Sequence, residues 1–111
     1  CCGVIANGGF ELPSEALTLG KKLLLKPLSG QFEQLSNVAT LEDLGLATCM
    51  DMLDASILRC WLDEAQAESV NYPNVAEAIV DWLQQGNWGN QTELTTRLWD
   101  RVDFPSYVTN I

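Results

Sequence analysis

Ala16-Leu17-Thr18-Leu19-Gly20-Lys21-Lys22-Leu23-Leu24-Leu25-Lys26-Pro27-Leu28 is the stretch on which the fold turns. Read as strand, Gly20-Lys21 turns a short hairpin. Lys22, Leu24, Lys26 and Leu28 then alternate against Leu23 and Leu25, as on a half-buried strand. Pro27, which has no amide proton to donate, belongs on an edge strand or at its end. Read as helix, the stretch is capped by Ser14, but Gly20 falls in the middle and Pro27 near the end, and both oppose a helix. The strand reading is preferred. It makes Leu24 and Leu28 candidates for contact with a partner along a sheet edge, where Lys21, Lys22 and Lys26 discourage indiscriminate pairing.

Outward from this stretch, Asn7-Gly8-Gly9 and Leu12-Pro13-Ser14-Glu15 read as turns, so residues 1–30 form an extended, hairpin-like segment. Residues 31–104 carry helical signals. Ser29 caps a short helix over 30–37, with Phe32 and Leu35 as its apolar pair. Thr40 with Asp43 resembles a capping box and opens a long helix to about Ala67. Its stripe is Leu46, Met50, Leu53, Ile57 and Trp61, with Gly45 kinking or delaying its start. Asn71-Tyr72-Pro73 breaks the chain. Asn74 with Glu77 caps a helix that runs through Gln85 and stops at Gly86, with Val75, Ile79, Trp82 and Leu83 as its stripe. Asn87-Trp88-Gly89-Asn90 is a loop. Asn90 with Glu93 caps a last helix bearing Leu94, Leu98, Trp99 and Val102, and Pro105 ends it. Residues 105–111 make a loosely held tail. The expected architecture is α+β and mostly α: a short N-terminal β-hairpin followed by three to four packed helices in one domain, 1–111.

Composition narrows the function classes. The chain has 111 residues and a formal net charge of −9, with no His. An acidic chain does not suit the phosphate backbone, so no nucleic acid partner is expected. The charge is uneven. Residues 1–30 hold three lysines against two glutamates, whereas residues 31–111 hold three arginines against thirteen acids. No run of about 18 apolar residues is present, so nothing spans a membrane, and no signal peptide is visible.

The four cysteines are Cys1, Cys2, Cys49 and Cys60. None forms a CxxC pair, and no His completes a zinc site, so neither a metal nor a cofactor is expected. Cys49 and Cys60 share one face of the predicted long helix, too far apart for a disulfide, and read as small core hydrophobes in a reducing cytoplasm. Cys1 admits other readings. It suits a lipid-anchored N-terminus or an N-terminal nucleophile, and Cys1-Cys2-Gly3 resembles the start of glutamine amidotransferases of that class. An excised fragment or loss of Met is the plainer reading.

Candidate chemistry is sparse. Asp51 with Asp54, and Asp63 with Glu64 and Glu68, could form an acid-base or metal cluster, but their spacing matches no metal motif and a solvated acidic face explains them. Gly8-Gly9 is too short for a phosphate-cradling loop of the P-loop kind and lacks its Lys and Ser/Thr. Asn90-Gln91-Thr92 matches a glycosylation sequon and carries no weight in the cytoplasm. Without His, neither a Ser-His-Asp nor a Cys-His arrangement can form. Trp61, Trp82 and Trp99 lie on the apolar stripes and read as core. Trp88 lies in a polar loop, as either a binding anchor or a lid over the last two helices.

Leu12-Pro13, Gly20-Lys21, the run Leu23 to Leu28 and Ser29-Gly30 follow one another across residues 10–35. In this order they resemble the opening of small tail assembly chaperones of tailed phages. Cys1-Cys2-Gly3 and the inserted Glu15 to Leu19 depart from that pattern. The resemblance implies transient binding of a tail protein, with no catalysis and no cofactor. The expected function is therefore a non-enzymatic protein-binding module, an assembly chaperone or adaptor. Its candidate contacts are Trp88, Asp51, Asp54, Asp63, Glu64, Glu68, Leu24 and Leu28. The alternatives are an acidic inhibitor that masks a basic surface, and a fragment of a larger protein that uses Cys1.

Overall fold

The computed structural model describes residues 1–86 and 88–108. The fold is α+β and mostly helical, with five helices and three short strands among the described residues. In chain order these are β1 (Gly3–Ala6), α1 (Glu11–Thr18), β2 (Lys22–Leu25), α2 (Phe32–Asp43), β3 (Thr48–Cys49), α3 (Ala55–Asp63), α4 (Val75–Gln85) and α5 (Gln91–Trp99). Two compact units result: Cys1–Ser69 with Pro105–Ile111, and Val70–Phe104.

The first unit is built on β2. All four of its residues are buried, Leu24 and Leu25 completely. A central strand of a parallel sheet is covered on both faces and reads as a continuous apolar run. Its neighbours are β1 and β3, in the order β1-β2-β3, and both pairings are parallel. Gly3 stands opposite Lys22 and Ala6 opposite Leu25, while Leu24 stands opposite Thr48. The expected hairpin is therefore replaced. Parallel neighbours need a crossover, and α1 supplies it between β1 and β2. The edge-strand expectation is corrected with it: Leu24 lies at the centre of the sheet, fully buried.

One local device makes both helix-to-strand connections. After α1, Gly20 takes φ 64°. Its N–H donates to the Leu17 carbonyl and the Lys21 N–H donates to the Ala16 carbonyl. After α2, Gly45 takes φ 71°. Its N–H reaches the Glu42 carbonyl and the Leu46 N–H reaches the Leu41 carbonyl. Both are Schellman motifs, which put glycine in the left-handed region just past the helix. Gly20 thus ends a helix rather than turning a hairpin, and Gly45 ends α2 rather than starting a longer one.

The predicted long helix from 40 to 67 is consequently three elements. Thr40 lies inside α2, where its hydroxyl donates to the Ser36 carbonyl. Cys49 falls in β3 and Cys60 in α3, so they do not share a helix face. Several stripe residues nevertheless converge. Met50 and Trp61 pack with Leu24, and Ile57 and Leu58 join them from α3. Alternation along β2 sends Leu23 and Leu25 to the opposite face. The two connecting helices add Ala16, Leu17 and Val38 to the buried set.

The Lys22 side chain is buried, and its ammonium donates to three carbonyls, those of Trp61 (2.8 Å), Leu62 (2.8 Å) and Glu64 (3.0 Å). It thereby caps the C-terminus of α3, where the helix dipole favours a cation. The same ammonium sits 5.0 Å from the centre of the Trp61 ring. The segment expected to be a loose tail is held in this unit as far as it is described. Ser106 donates from its N–H and its hydroxyl to the Glu68 carboxylate, and Pro105 and Val108 are buried. Residues 109–111 lie outside the described residues, as does Asn87 of the predicted 87–90 loop.

The second unit is a pair of helices. Asn74 caps α4 by accepting from the Glu77 N–H at 3.1 Å, and Gly86 follows its C-terminus, as read from the sequence. Asn90 precedes α5 without accepting a backbone bond, and its amide donates to the Glu93 carboxylate instead. A bridge between Asn71 and Asp103 joins the two ends of the unit. Neither helix buries a residue. Trp99 is 61 % exposed, against its expected core position.

Candidate functional site

In open parallel sheets, ligands bind outside the carboxyl ends of the strands, where the strand-to-helix loops converge. Three loops reach that edge in the first unit: 7–10 after β1, 26–31 after β2 and 50–54 after β3. The ladder runs a little past the strands, because the Lys26 N–H reaches the Ala6 carbonyl and the Met50 N–H reaches the Leu25 carbonyl, both at 2.9 Å. The three loops therefore start from nearly one level.

The first loop, Asn7-Gly8-Gly9-Phe10, is tight because it must be. A Cβ on Gly8 would collide with Val38 Cγ2 and lie 2.8 Å from the Gln34 carbonyl oxygen. A Cβ on Gly9 would meet nothing within 4 Å, so that side of the turn is open. The turn leads into α1, whose Phe10 N-cap supplies no side-chain hydrogen bond. The amino terminus of α2 is uncapped in the same way at Gln31. By contrast, α3 is capped by Asp54, whose carboxylate accepts from Ser56 N (2.7 Å) and Ile57 N (3.4 Å). Unclaimed N–H groups at a helix start favour an anion. Glu11 and Glu33 stand in the first turns of α1 and α2 as exposed acceptors, and Lys26 stands at the end of β2.

The acidic residues singled out in the sequence do not form one cluster. Asp51 and Asp54 follow β3 at the carboxyl edge, and Asp54 is engaged in capping. Asp63 and Glu64 end α3 next to the start of β2, at the other end of the sheet. There the Glu64 carboxylate accepts from the Thr48 hydroxyl, and Glu68 holds Ser106. Among the described residues no group of three or more Cys, Asp or Glu is placed to hold a metal ion. Leu28 is 45 % exposed at the carboxyl edge. Trp88 belongs to the second unit, where it is exposed and its indole N–H donates to the Leu83 carbonyl at 3.2 Å. Burial pushes the Cys49 thiol above its ordinary pKa, with Glu42 and then Asp51 adding to the effect. A thiol held protonated is a poor nucleophile.

Gly9, Glu11, Glu33, Gln34 and Asn37, which the structure brings to the carboxyl edge, were not singled out in the sequence as site residues. The available signal was the short apolar run Val4-Ile5-Ala6, followed by Asn-Gly-Gly, a helical pattern and a second apolar run, which is the order of a strand-helix-strand unit. Gly8-Gly9 is too short for a P-loop, yet it occupies the strand-to-helix turn of that unit.

The first unit is thus a parallel α/β unit with an open, glycine-bearing turn at the carboxyl edge of its sheet. Comparison with known families agrees in extent. The profile of glycosyl transferase family 1 matches residues 1–65, more than half of the chain and nearly all of the first unit's main segment. The chain belongs to glycosyl transferase family 1. No curated protein sequence and no solved structure matches it.

This assignment overturns several expectations. The resemblance to phage tail chaperones gives way, because the same residues 10–35 fall inside the transferase match. The reading as a non-enzymatic chaperone, adaptor or acidic inhibitor gives way with it, in favour of a transferase-related function. The absence of His removes one common general base and metal ligand but does not exclude an enzyme. Carboxylates and backbone N–H groups also carry chemistry. Among the described residues, no helix is long and apolar enough to cross a membrane.

Proposed function

We propose that the first unit binds the activated sugar donor of a glycosyl transferase, with the donor's anionic leaving group against the Asn7-Gly8-Gly9-Phe10 turn. Glycosyl transfer forms a bond between the anomeric carbon and an acceptor oxygen and breaks the bond to the leaving group, which departs with the electron pair. A group that leaves as a stable anion, such as a phosphate, is favoured by N–H donors and by the positive end of a helix. The observation that carries this reading is the open, uncapped β1-to-α1 turn within the family match. The carboxylates of Glu11 and Glu33 on the neighbouring helix starts supply acceptors for sugar hydroxyls.

Amide NMR titration with uridine, guanosine, cytidine and adenosine diphosphates tests it. At least one should shift the amides of Gly9 to Leu12 at millimolar concentration. No response to any of them, or shifts confined to residues remote from the carboxyl edge, would overturn the reading.

A further inference from the structure

One helix holds two of the carboxyl-edge loops. Asn37 Nδ2 donates to the Gly8 carbonyl at 3.1 Å, and Gln34 Oε1 accepts from the Leu28 N–H at 3.0 Å. Residues 34 and 37 are three apart on α2 and so share a face. The contact at Gly8 is close, because the Gln34 carbonyl and the Val38 side chain occupy the space a Cβ would need. The turn after β1 is thus seated on α2 through Asn37, while the loop after β2 is tied to the same helix through Gln34.

The Asn37 bond has a geometric consequence one atom further on. The Gly8 carbonyl and the Gly9 N–H belong to one peptide unit, which is planar and trans, so the two groups point in opposite directions. Drawing the carbonyl toward α2 turns the Gly9 N–H away from α2. From this we infer that Asn37 is a positioning residue for donor binding, which it serves by fixing the peptide plane that aims the Gly9 N–H at the leaving-group anion. The inference rests on the donor reading above. It adds a residue that does not itself touch the donor, and it explains why an amide stands at this point of α2: a donor is required there, and a carboxylate would face the carbonyl with like polarity.

The test compares the wild-type chain with Asn37→Asp, which keeps the shape and loses the donor, Asn37→Ala, which removes the group, and Asn37→Gln, which returns an amide. Two readouts are taken on each folded variant. In ligand-free protein, the Gly9 amide should change its shift and exchange faster with solvent in the Asp and Ala variants, with partial return in the Gln variant. In titrations with the nucleoside diphosphate that the wild type binds best, the Kd should rise roughly tenfold, the worth of about one hydrogen bond, and recover in part with Gln. An unmoved Gly9 amide in both the Asp and Ala variants overturns the positioning. A Gly9 amide that moves without any change in Kd overturns its role in binding. A wild-type chain that binds none of the nucleotides removes the donor reading, and the Gly9 amide still decides separately whether Asn37 sets the peptide plane.

Discussion

Lys22 shows how one side chain can serve three carbonyls. Its ammonium is out of water, and each of its three N–H donors has an acceptor at the end of α3. Lys22→Met keeps the apolar stem and removes the charge, so the carbonyls of Trp61, Leu62 and Glu64 lose their shared donor. The loss should be about 1.5–3 kcal/mol, the range for hydrogen bonds to a charged group, read as a lower urea midpoint. Cys49 makes a second prediction, on pH. Its thiol is held above the ordinary pKa of 9.0 by burial first and by Glu42 and Asp51 next. As pH rises through 9.0, the unfolded chain releases this proton while the folded chain keeps it. The unfolded state then binds fewer protons, so stability falls on the alkaline side and Cys49 contributes no slope below that range. Cys49→Ala should flatten the decline above pH 9.0 in a denaturation series. The same shift predicts that Cys49 alkylates more slowly at pH 8 than the exposed Cys60, as mass spectrometry of a timed labelling would report.

At the scale of elements, α3 depends on Asp54. Its carboxylate takes the N–H groups of Ser56 and Ile57, and the helix then delivers Ile57, Leu58 and Trp61 to Leu24. Asp54→Ala should cost about 1 kcal/mol and Asp54→Asn much less, as measured by urea unfolding. Where an element is set by its own caps, its bounds were legible in the sequence. Asn74, Glu77 and Gly86 delimit α4 within a few residues of chain, and the structure keeps them. Where an element depends on distant partners, they were not. Gly20 satisfies a hairpin turn and a helix end equally well, because both accept positive φ. Only the pairing of β2 with β1 decides between them, and that pairing is non-local. Leu46, Met50, Leu53, Ile57 and Trp61 keep a helical period across a strand and a loop. Met50 and Trp61 do reach one core cluster, although from separate elements, so the stripe identified partners while misassigning the backbone. The site was hidden for the same reason. Asn7-Gly8-Gly9 was readable as a turn, but its position at the carboxyl edge of the sheet follows from a parallel pairing that no single stretch encodes.

For the molecule as a whole, the net charge of −9 is a term acting against compaction. Six basic residues stand against fifteen acidic ones, so sodium chloride should raise the melting temperature by a few degrees as the screening length falls from about 30 Å at 0.01 M to about 3 Å at 1 M. A melting temperature that stays flat or drops over that range would contradict the prediction. The order of events in folding follows from the ammonium of Lys22. The β1-to-β2 pairing closes over α1 alone, a short loop with little entropy to lose. The Lys22 contact reaches across 39 to 42 residues and needs β3 and α3 already formed. Removing it by Lys22→Met should therefore leave the refolding rate nearly unchanged while the native state opens faster, as the two arms of a denaturant kinetic plot would report. On this expectation the buried lysine sets how long the fold persists more than how quickly it is found.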